Sequence, residues 1–325
     1  MTIAAVIIGR NEGERFRRCL ASLPASITRV IYVDSGSTDG SIEAAQTAGA
    51  TVIRLDDSQI FTAARARNAG LEALRQDPRP DFVQFLDGDC ALQPGWIDAG
   101  RIFLERHPDV AVVCGRRRER YPDATLYNSL CDREWSTPIG LSKACGGDAL
   151  MRRSALDQVG GYNSLLIAGE EPEMCVRLRA AGWTIWRIDA EMTLHDIAMT
   201  RFSQFWKRAR RAGHAFAEGA ALHGAPPERH AVPQRNRALL WGAALPIAIA
   251  VLTLAIGWHA LALLLVYPVQ AARLAWRDRN IAGGWRRAFG HATLLTVAKF
   301  AEAAGACQYY GQRFLRRSAT PILYK

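Results

Sequence analysis

The sequence predicts an α/β protein in which a mainly parallel sheet is followed by a helical region. Short β-branched apolar runs alternate with helical patterns from Thr2 to about Asp189, and longer apolar runs replace them afterwards. The charge changes at nearly the same point. Residues 201–325 contain 18 Lys and Arg against 4 Asp and Glu, whereas the first 200 residues contain 23 against 27. A mildly acidic body is therefore expected to carry a strongly basic C-terminal part.

Five apolar runs are typical of buried strands because they are rich in β-branched residues and bounded by Gly, Asp or Asn. They are AAVII, RVIYVD, ATVIRL, FVQFLD and VAVVCG. Segments with helical spacing lie between them, namely GERFRRCLASL, GSIEAAQTAG, TAARARNAGLEALR and GWIDAGRIFLERH. This alternation predicts parallel strands joined by right-handed crossovers. Ligands of such sheets bind beyond the carboxyl ends of the strands.

The composition excludes several classes of protein. With 49% hydrophobic residues, the 325-residue chain can bury a large core. Its 7 cysteines form no CxxC pair, which argues against a disulfide framework and a structural zinc site and indicates a reducing compartment. The N-terminus, MTIAAVIIGRNEG, has only a short apolar run with no basic segment before it. We therefore expect a first strand there, not a signal peptide, and a chain that begins in the cytoplasm.

The C-terminal third has the pattern of a membrane-associated region. We divide the chain into an α/β domain over 1–200, an amphipathic interfacial helix with its linker over 201–234, and a membrane region over 235–325. The interfacial helix is predicted from RFSQFWKRARRAGHAFAEG, which interleaves aromatic with basic residues. This pattern is typical of a helix lying among lipid headgroups.

Two apolar runs, 238–256 and 260–276, predict a helical hairpin in the membrane, since the first has nearly the ~20 residues needed to span a bilayer. Arginines on both sides predict that both ends are cytoplasmic; they are Arg235, Arg237, Arg277 and Arg279. The segment 291–317 is expected to form an interfacial or bundle-packed amphipathic helix. Because the basic residues flank apolar spans, they favour a membrane partner over nucleic acid.

Two stretches after predicted strands suit a nucleotide. In VDSGSTDGS (33–41), Asp34 and Ser35 can hydrogen-bond to a base or a ribose. In ARARNAGL (64–71), Arg65 and Arg67 near a helix N-terminus can approach a diphosphate, although a solvated basic face explains them equally well.

Two acidic pairs complete the pattern. Asp87 and Asp89 flank one glycine at the end of a strand, where both can reach one hard cation such as Mg²⁺ or Mn²⁺. Simple turn chemistry explains one Asp before Gly, but explains the second less well. Glu170 and Glu171 open a helix, where acids also act as caps, and one of them can serve as a general base.

Together these stretches resemble the inverting family-2 glycosyltransferases, whose nucleotide-sugar-binding domain has the GT-A fold. The resemblance covers roughly residues 2–200, including VIIGRNEG, VDSGSTDGS, the DGD form of the DxD motif, GGDALMRRSALDQVGGYN (146–163) and GEEPEMCVRLRAAGW (169–183). It implies a metal-dependent enzyme that moves a sugar from a nucleotide-diphosphate sugar to an acceptor hydroxyl.

The resemblance also implies the donor-side roles. Asp34 and Ser35 would hold the nucleoside, with Arg65 nearby. Asp87 would contact the ribose or a metal-bound water, and Asp89 would ligate Mg²⁺ or Mn²⁺. His195, in TLHDIAM, matches a histidine that contacts metal or diphosphate in some relatives, although a lone histidine after a strand is more often structural.

On the acceptor side, Gly146, Gly147 and Asp148 match the acceptor loop of the family. Glu171 falls where the family usually has a catalytic Asp, and Glu170 where it has a Glu, so the choice of base between them stays open. One carboxylate suffices, because the diphosphate leaving group needs no protonation and a metal stabilises its charge, unlike the acid–base pair of a glycosidase.

The predicted membrane segments suit a lipid-linked or polysaccharide acceptor at the cytoplasmic face of the inner membrane. The stretch QFWKR (204–208) only loosely matches the QxxRW motif of processive synthases, so we expect transfer of single sugars. Other functions remain as alternatives: a nucleotidyltransferase or another metal-dependent nucleotide-sugar enzyme, or a non-catalytic membrane protein that binds nucleotide sugar. A dinucleotide-dependent enzyme is disfavoured, since the first strand leads into GRNEG and not GxGxxG.

Overall fold

A computed structural model describes residues 1–75 and 79–315 of the chain. The last residues of the predicted helix 291–317, and of the region 235–325, lie outside this part. The chain divides into two compact units: an α/β unit of Met1–Tyr121 with Glu134–Ala198, and a helical unit of Pro122–Arg133 with the chain from Met199 onwards.

The α/β unit is built on a nine-stranded sheet in the order β3-β2-β1-β4-β8-β6-β9-β5, with β7 pairing to β9. The strands are β1 (Ile3–Gly9), β2 (Ile27–Asp34), β3 (Thr51–Arg54), β4 (Phe82–Asp87), β5 (Cys90–Leu92), β6 (Val110–Glu119), β7 (Gly140–Ser142), β8 (Ala149–Arg152) and β9 (Thr184–His195). Its helices are α1 (Glu14–Ala21), α2 (Ser41–Thr47), α3 (Ala63–Ala73), α4 (Trp96–Arg106), α6 (Arg153–Val159) and α7 (Glu170–Ala180).

The parallel half of the sheet fixes where the polar strand ends meet. Strands β2 and β4 both pair in parallel with β1, opposite residues being Gly9 with Asp34 and Ile8 with Asp87. Asp34 and Asp87 therefore lie at the same edge of the sheet, two strands or about 10 Å apart. The strands are buried on both faces, as expected for parallel strands covered by helices.

The other half of the sheet is mixed. Strand β8 runs antiparallel between β4 and β6, and β9 pairs in parallel with β6 but antiparallel with β5 and β7. The α/β class and all five predicted strands are confirmed. The antiparallel strands were not predicted, because three of them have only three or four residues and β9 is interrupted by the polar stretch RIDAE.

The helical unit consists of α5 (Leu126–Glu134, whose last residue belongs to the α/β unit), α8 (Phe202–His223), α9 (Val232–Leu239), α10 (Leu245–Ile256), α11 (Val266–Asp278) and α12 (Trp285–Phe314). Helices α8 and α12 pack with their backbones close together. A Cβ atom added to Gly213 on α8 would lie 1.9 Å from the carbonyl oxygen of Glu302, and one added to Gly305 on α12 would lie 1.9 Å from that of Arg210. Both positions therefore require glycine.

A π-helical turn joins α9 to α10, so that Val232–Ile256 is one continuous helical stretch. Among the described residues, it is the one helix that is long and apolar enough to cross a membrane. Within α10 only Ile249 is buried, and Leu254 is 89% exposed. The second predicted span begins in a 3₁₀-helix, Trp258–Leu265, and continues into α11.

Candidate active site

The centre of the acidic site is the buried side chain of Arg67, which is only 2% exposed. It lies on α3 after the N-cap residue Thr62, whose side chain accepts a hydrogen bond from the backbone N–H of Arg65. One guanidinium nitrogen of Arg67, Nη2, lies 2.9 Å from Oδ1 of Asp87. The other, Nη1, lies 2.9 Å from Oε1 of Glu170 and 2.7 Å from Oε1 of Glu171. One arginine therefore brings together three of the predicted site residues.

Burial and neighbouring charges shift the pKa values of Arg67 and Glu171 in this cluster. Burial by itself would lower the pKa of Arg67, but the carboxylates of Glu171 and Asp87 raise it, so the guanidinium stays charged. Burial raises the pKa of Glu171 to about 7, against the opposing effect of Arg67 and with a smaller contribution from Glu170. A carboxyl group with a pKa near neutrality is suited to general base catalysis.

Gly147 is required for the close approach of this cluster to the GGD loop. A Cβ atom at Gly147 would lie 2.5 Å from Nη2 of Arg67 and 2.9 Å from Oδ2 of Asp87. No heavy atom lies within 4 Å of a Cβ atom built on Gly146, so that position is open. Asp148 is completely buried: its Oδ1 accepts a hydrogen bond from the backbone N–H of Asp87 at 3.1 Å.

The resemblance implied that Asp148 lies on the acceptor side, but the structure places its carboxylate inside the protein. Its Oδ2 accepts a hydrogen bond from the hydroxyl of Thr193 at 2.9 Å and lies 3.4 Å from a guanidinium nitrogen of Arg117. With no exposed surface, its carboxylate positions Asp87 and Arg117 and is not available to an acceptor.

Arg117 is a second buried cation of the site. Besides Asp148, it lies 3.4 Å from Oδ2 of Asp87, and its guanidinium stacks over the ring of Trp135 at 4.8 Å. The same ring meets His195 edge-on, with 4.8 Å between the ring centroids. Arg117 and Trp135 thus connect the Arg67 cluster to the residues around Asp89.

Asp89 and His195 form the second acidic group. Nε2 of His195 lies 3.4 Å from Oδ1 of Asp89, and Nδ1 lies 3.5 Å from Oε2 of Glu119. Strand pairing explains the contacts, since His195 is opposite Cys90 on β5 and Glu119 on β6. Burial and Arg117 would lower the pKa of His195, but these two carboxylates raise it overall.

The donor set here fits a divalent cation. Ligand atoms of Asp89, Cys90 and His195 all lie within 4.8 Å of one another, and so do those of Asp87, Cys90 and Asp148. Burial raises the pKa of the Cys90 thiol well above its usual value, so sulfur stays protonated and is a poor ligand. The carboxylate and imidazole donors that remain suit Mn²⁺, and the carboxylates suit Mg²⁺.

Asp34, Ser35 and Arg65 lie apart from these two groups. Oδ2 of Asp34 accepts hydrogen bonds from the backbone N–H groups of Gly36 and Ser37, each at 2.9 Å, so Asp34 fixes the turn after β2. The backbone N–H of Ser35 donates to the carbonyl of Gly9 at 3.1 Å. Arg65 donates to the backbone carbonyl oxygens of residues 56 and 60, and not to the acidic cluster.

Sequence reasoning missed three of these contributors: Glu119, Trp135 and the bridging Arg117. It also chose Arg65 over Arg67 as the site arginine. One signal was available, because Ala64, Arg67 and Leu71 follow the i, i+3, i+7 spacing of a buried helix face. An arginine on that face needs buried acidic partners.

Comparison with known proteins agrees with this geometry. The glycosyl transferase family 2 profile matches residues 4–160, and the glycosyl transferase family 21 profile matches residues 135–287. Residues 4–160 thus match a glycosyl transferase family 2 domain. This family 2 domain includes β1, the turn after β2, the DGD motif and the GGD loop.

Two curated relatives are glycosyltransferases. Glycosyltransferase AglE of Haloferax volcanii is 26% identical over 197 residues, which are 56% of this chain and 63% of AglE. A pre-mycofactocin glycosyltransferase of Mycobacterium tuberculosis is 30% identical over 212 residues, which are 60% of this chain and 42% of that protein. The chain thus spans less than two thirds of the length of each of these relatives.

Among solved structures, the fold resembles that of the mannosyltransferase PcManGT from Pyrobaculum calidifontis, solved with GDP-Man and Mn²⁺. The TM-score is 0.63 at 19% identity, and the match covers 94% of this chain and 86% of that one. This similarity confirms the predicted GT-A fold of the α/β unit.

Replacing Arg67 should destabilise the protein strongly. In Arg67→Ala, three buried or half-buried carboxylates lose their shared cation, and we expect the free energy of unfolding to fall by about 3–5 kcal/mol. Arg65→Ala is the matched control on the same helix and should lower it by about 1 kcal/mol or less, since only hydrogen bonds to loop carbonyls are lost. Urea denaturation of the full chain in detergent micelles measures both. Equal losses would contradict the central place given to Arg67.

Proposed function

We propose that the chain is an inverting glycosyltransferase that moves a sugar from a nucleotide-diphosphate sugar to a hydroxyl group of a lipid-linked or polysaccharide acceptor. The observation that carries this proposal is the cluster held by Arg67, in which Glu171 is connected through one guanidinium to Asp87, two residues before Asp89. Groups suited to a leaving nucleotide and to an attacking alcohol thus lie side by side.

The donor is proposed to lie along the carboxyl ends of β1, β2 and β4. Asp34 and Ser35 at the end of β2 hold the nucleoside, either through side chains or through the turn that Asp34 fixes. Asp87 is half-exposed at the end of β4 and contacts the ribose. Arg65 orders the loop over 56–60 at the rim of the same edge.

A divalent cation, Mg²⁺ or Mn²⁺, is proposed to be held by Asp89 and His195. When bound, it supplies positive charge that stabilises the departing diphosphate. The fit of the carboxylate and imidazole donors supports this assignment, as does Mn²⁺ in the PcManGT complex. Trp135, which lies under the guanidinium of Arg117 and meets His195 edge-on, keeps the imidazole ring in one orientation.

Glu171 is proposed as the general base, in preference to Glu170. Its side chain is 13% exposed, whereas that of Glu170 is 6% exposed. Deprotonated Glu171 takes the proton of the acceptor hydroxyl as the oxygen attacks the anomeric carbon, and the bond from that carbon to the diphosphate breaks with inversion. Gly146 leaves open space for the acceptor on this side, and Gly147 lets the same loop lie against Arg67 and Asp87.

The helical unit is proposed to hold the enzyme at the cytoplasmic face of the inner membrane, with the α/β unit in the cytoplasm. Exposed apolar side chains along α10 and the following 3₁₀-helix support this, among them Ile247, Val251, Leu254 and Leu265. Monomeric soluble proteins rarely expose so large an apolar surface. Helices α8 and α12 would then lie at the membrane surface, where an acceptor with a lipid anchor is available.

Substitutions at the two acids should separate donor binding from transfer. Asp89→Asn should abolish metal-dependent binding of the nucleotide sugar, because a cation ligand loses its charge. Glu171→Gln should bind donor normally and lose transfer by about 10²–10⁴-fold, the range for general base catalysis. Calorimetry with a panel of nucleotide sugars and Mn²⁺ measures the first effect, and a transfer assay the second. Equal loss of donor binding in both variants would contradict the assigned roles.

The rate of transfer should depend on pH through Glu171. Since burial raises its pKa to about 7, the carboxyl group keeps its proton below that pH and cannot act as a base there. Under saturating donor and metal ion, the rate should therefore rise with pH around a midpoint near 7. A rate that is flat between about pH 6 and about pH 8 would exclude Glu171 as the base.

Charges placed on α10 should weaken membrane attachment. The native chain should stay in the membrane pellet after alkaline carbonate washing. The double variant Val251→Arg, Leu254→Arg should be released, because each arginine costs about 2.5–3.5 kcal/mol at the centre of a bilayer. Leu165→Arg is the matched control: Leu165 is 85% exposed, but lies in the α/β unit. A double variant that pellets like the native chain would overturn the assignment of α10 to the membrane.

A further inference from the structure

The helical unit contains a cavity that the proposed transfer reaction does not use. Its volume is about 400 Å³, which lies in the range of small-molecule sites. The cavity lies where α5 and α12 begin, and its lining is Pro122, Asp123, Ala124, Thr125, Leu126, Ser129, Arg286 and Arg287.

The charged groups of this cavity leave a net positive charge. Arg287 forms an ion pair with Asp123, so these two charges compensate each other. Arg286 is exposed and has no hydrogen bond or ion pair with any residue of the described chain. One guanidinium in the lining is thus available to an anion. Guanidinium groups bind phosphate through paired N–H donors.

The polar wall opposite the arginines is fixed by internal contacts. The hydroxyl of Ser129 lies 3.1 Å from Nε2 of His291. The hydroxyl of Thr125 donates to the backbone carbonyl of Met199 at 2.9 Å. These contacts hold the start of α5 against α12 and against the segment that precedes α8.

Exposed aromatic residues flank the two arginines in the chain. Trp285 directly precedes Arg286, and its ring meets that of Trp276 edge-on at 5.5 Å and that of Phe289 at 6.0 Å. All three rings are 46% or more exposed. The guanidinium of Arg279 lies over the ring of Trp276 at 4.7 Å. Tryptophan and arginine together are typical of protein surface at the depth of lipid headgroups.

We propose that this cavity binds the phosphate group of an anionic membrane lipid, with Arg286 as the main contact and the Trp276–Trp285–Phe289 cluster against the acyl chains. The site is separate from the nucleotide-sugar site, and the proposal rests on the membrane association proposed above. An anion with an apolar tail can contact both Arg286 and the aromatic cluster. A free phosphate would leave the aromatic cluster exposed to water.

The test uses the full chain in uncharged detergent micelles and measures bound lipid by native mass spectrometry. The chain should bind phosphatidylglycerol, and bind phosphatidylcholine clearly less well, since choline compensates the phosphate. Arg286→Ala should weaken phosphatidylglycerol binding about fivefold, the effect of one basic residue near an anionic membrane surface. Arg286→Lys should retain most of the affinity. Asp123→Asn should tighten binding, because Arg287 is then released from its carboxylate.

Arg237→Ala is the matched control, since Arg237 is also an exposed arginine of the helical unit but does not line the cavity; it should bind like the native chain. Unchanged binding in Arg286→Ala, or equal binding of phosphatidylcholine, would overturn the proposal. Inorganic phosphate that displaces the lipid at equal concentration would also overturn it, in favour of a free anion. The same preparation is tested with nucleotide sugar: a chain that binds donor but no lipid rejects only this site, and the reverse result rejects only the proposed transferase function.

Discussion

The acidic site depends on one constraint: several carboxylates can be kept close together inside a protein only if a buried cation compensates them. Arg67 meets this requirement for Asp87, Glu170 and Glu171 at distances below 3 Å. Removing such charges from water costs several kcal/mol per ion, which only good geometry offsets. The close contact explains why the neighbouring loop has glycine at 147, where any side chain would displace the guanidinium.

The two units of the chain differ in how they bury their apolar residues. The α/β unit buries its apolar residues around the sheet and brings its polar residues to the carboxyl ends of the strands. The helical unit instead leaves many large apolar side chains of α10, α11 and the intervening 3₁₀-helix exposed, and pairs most of its buried polar groups across helices. Such a surface is stable next to lipid and unstable in water.

The sequence was sufficient to predict elements whose pattern is local. Strands β1 to β4 and β6 are continuous apolar runs, and Asp87 and Asp89 could be identified as site residues because they end one of them. Short antiparallel strands depend on partners far along the chain, so their sequences carry little signal. Residues 65 and 67 point about 200° apart on their helix, so only one of the two arginines can face inward. The sequence does not show which one, and Arg65 was chosen where the packed structure has Arg67.

Helix α5 belongs to the helical unit although residues from the α/β unit precede and follow it. Its Arg133 pairs with Asp278, which is 145 residues further along the chain. At typical translation speeds, roughly seven to thirty seconds separate the synthesis of these two partners. During biosynthesis, residues 126–133 are therefore made well before the residue that pairs with Arg133.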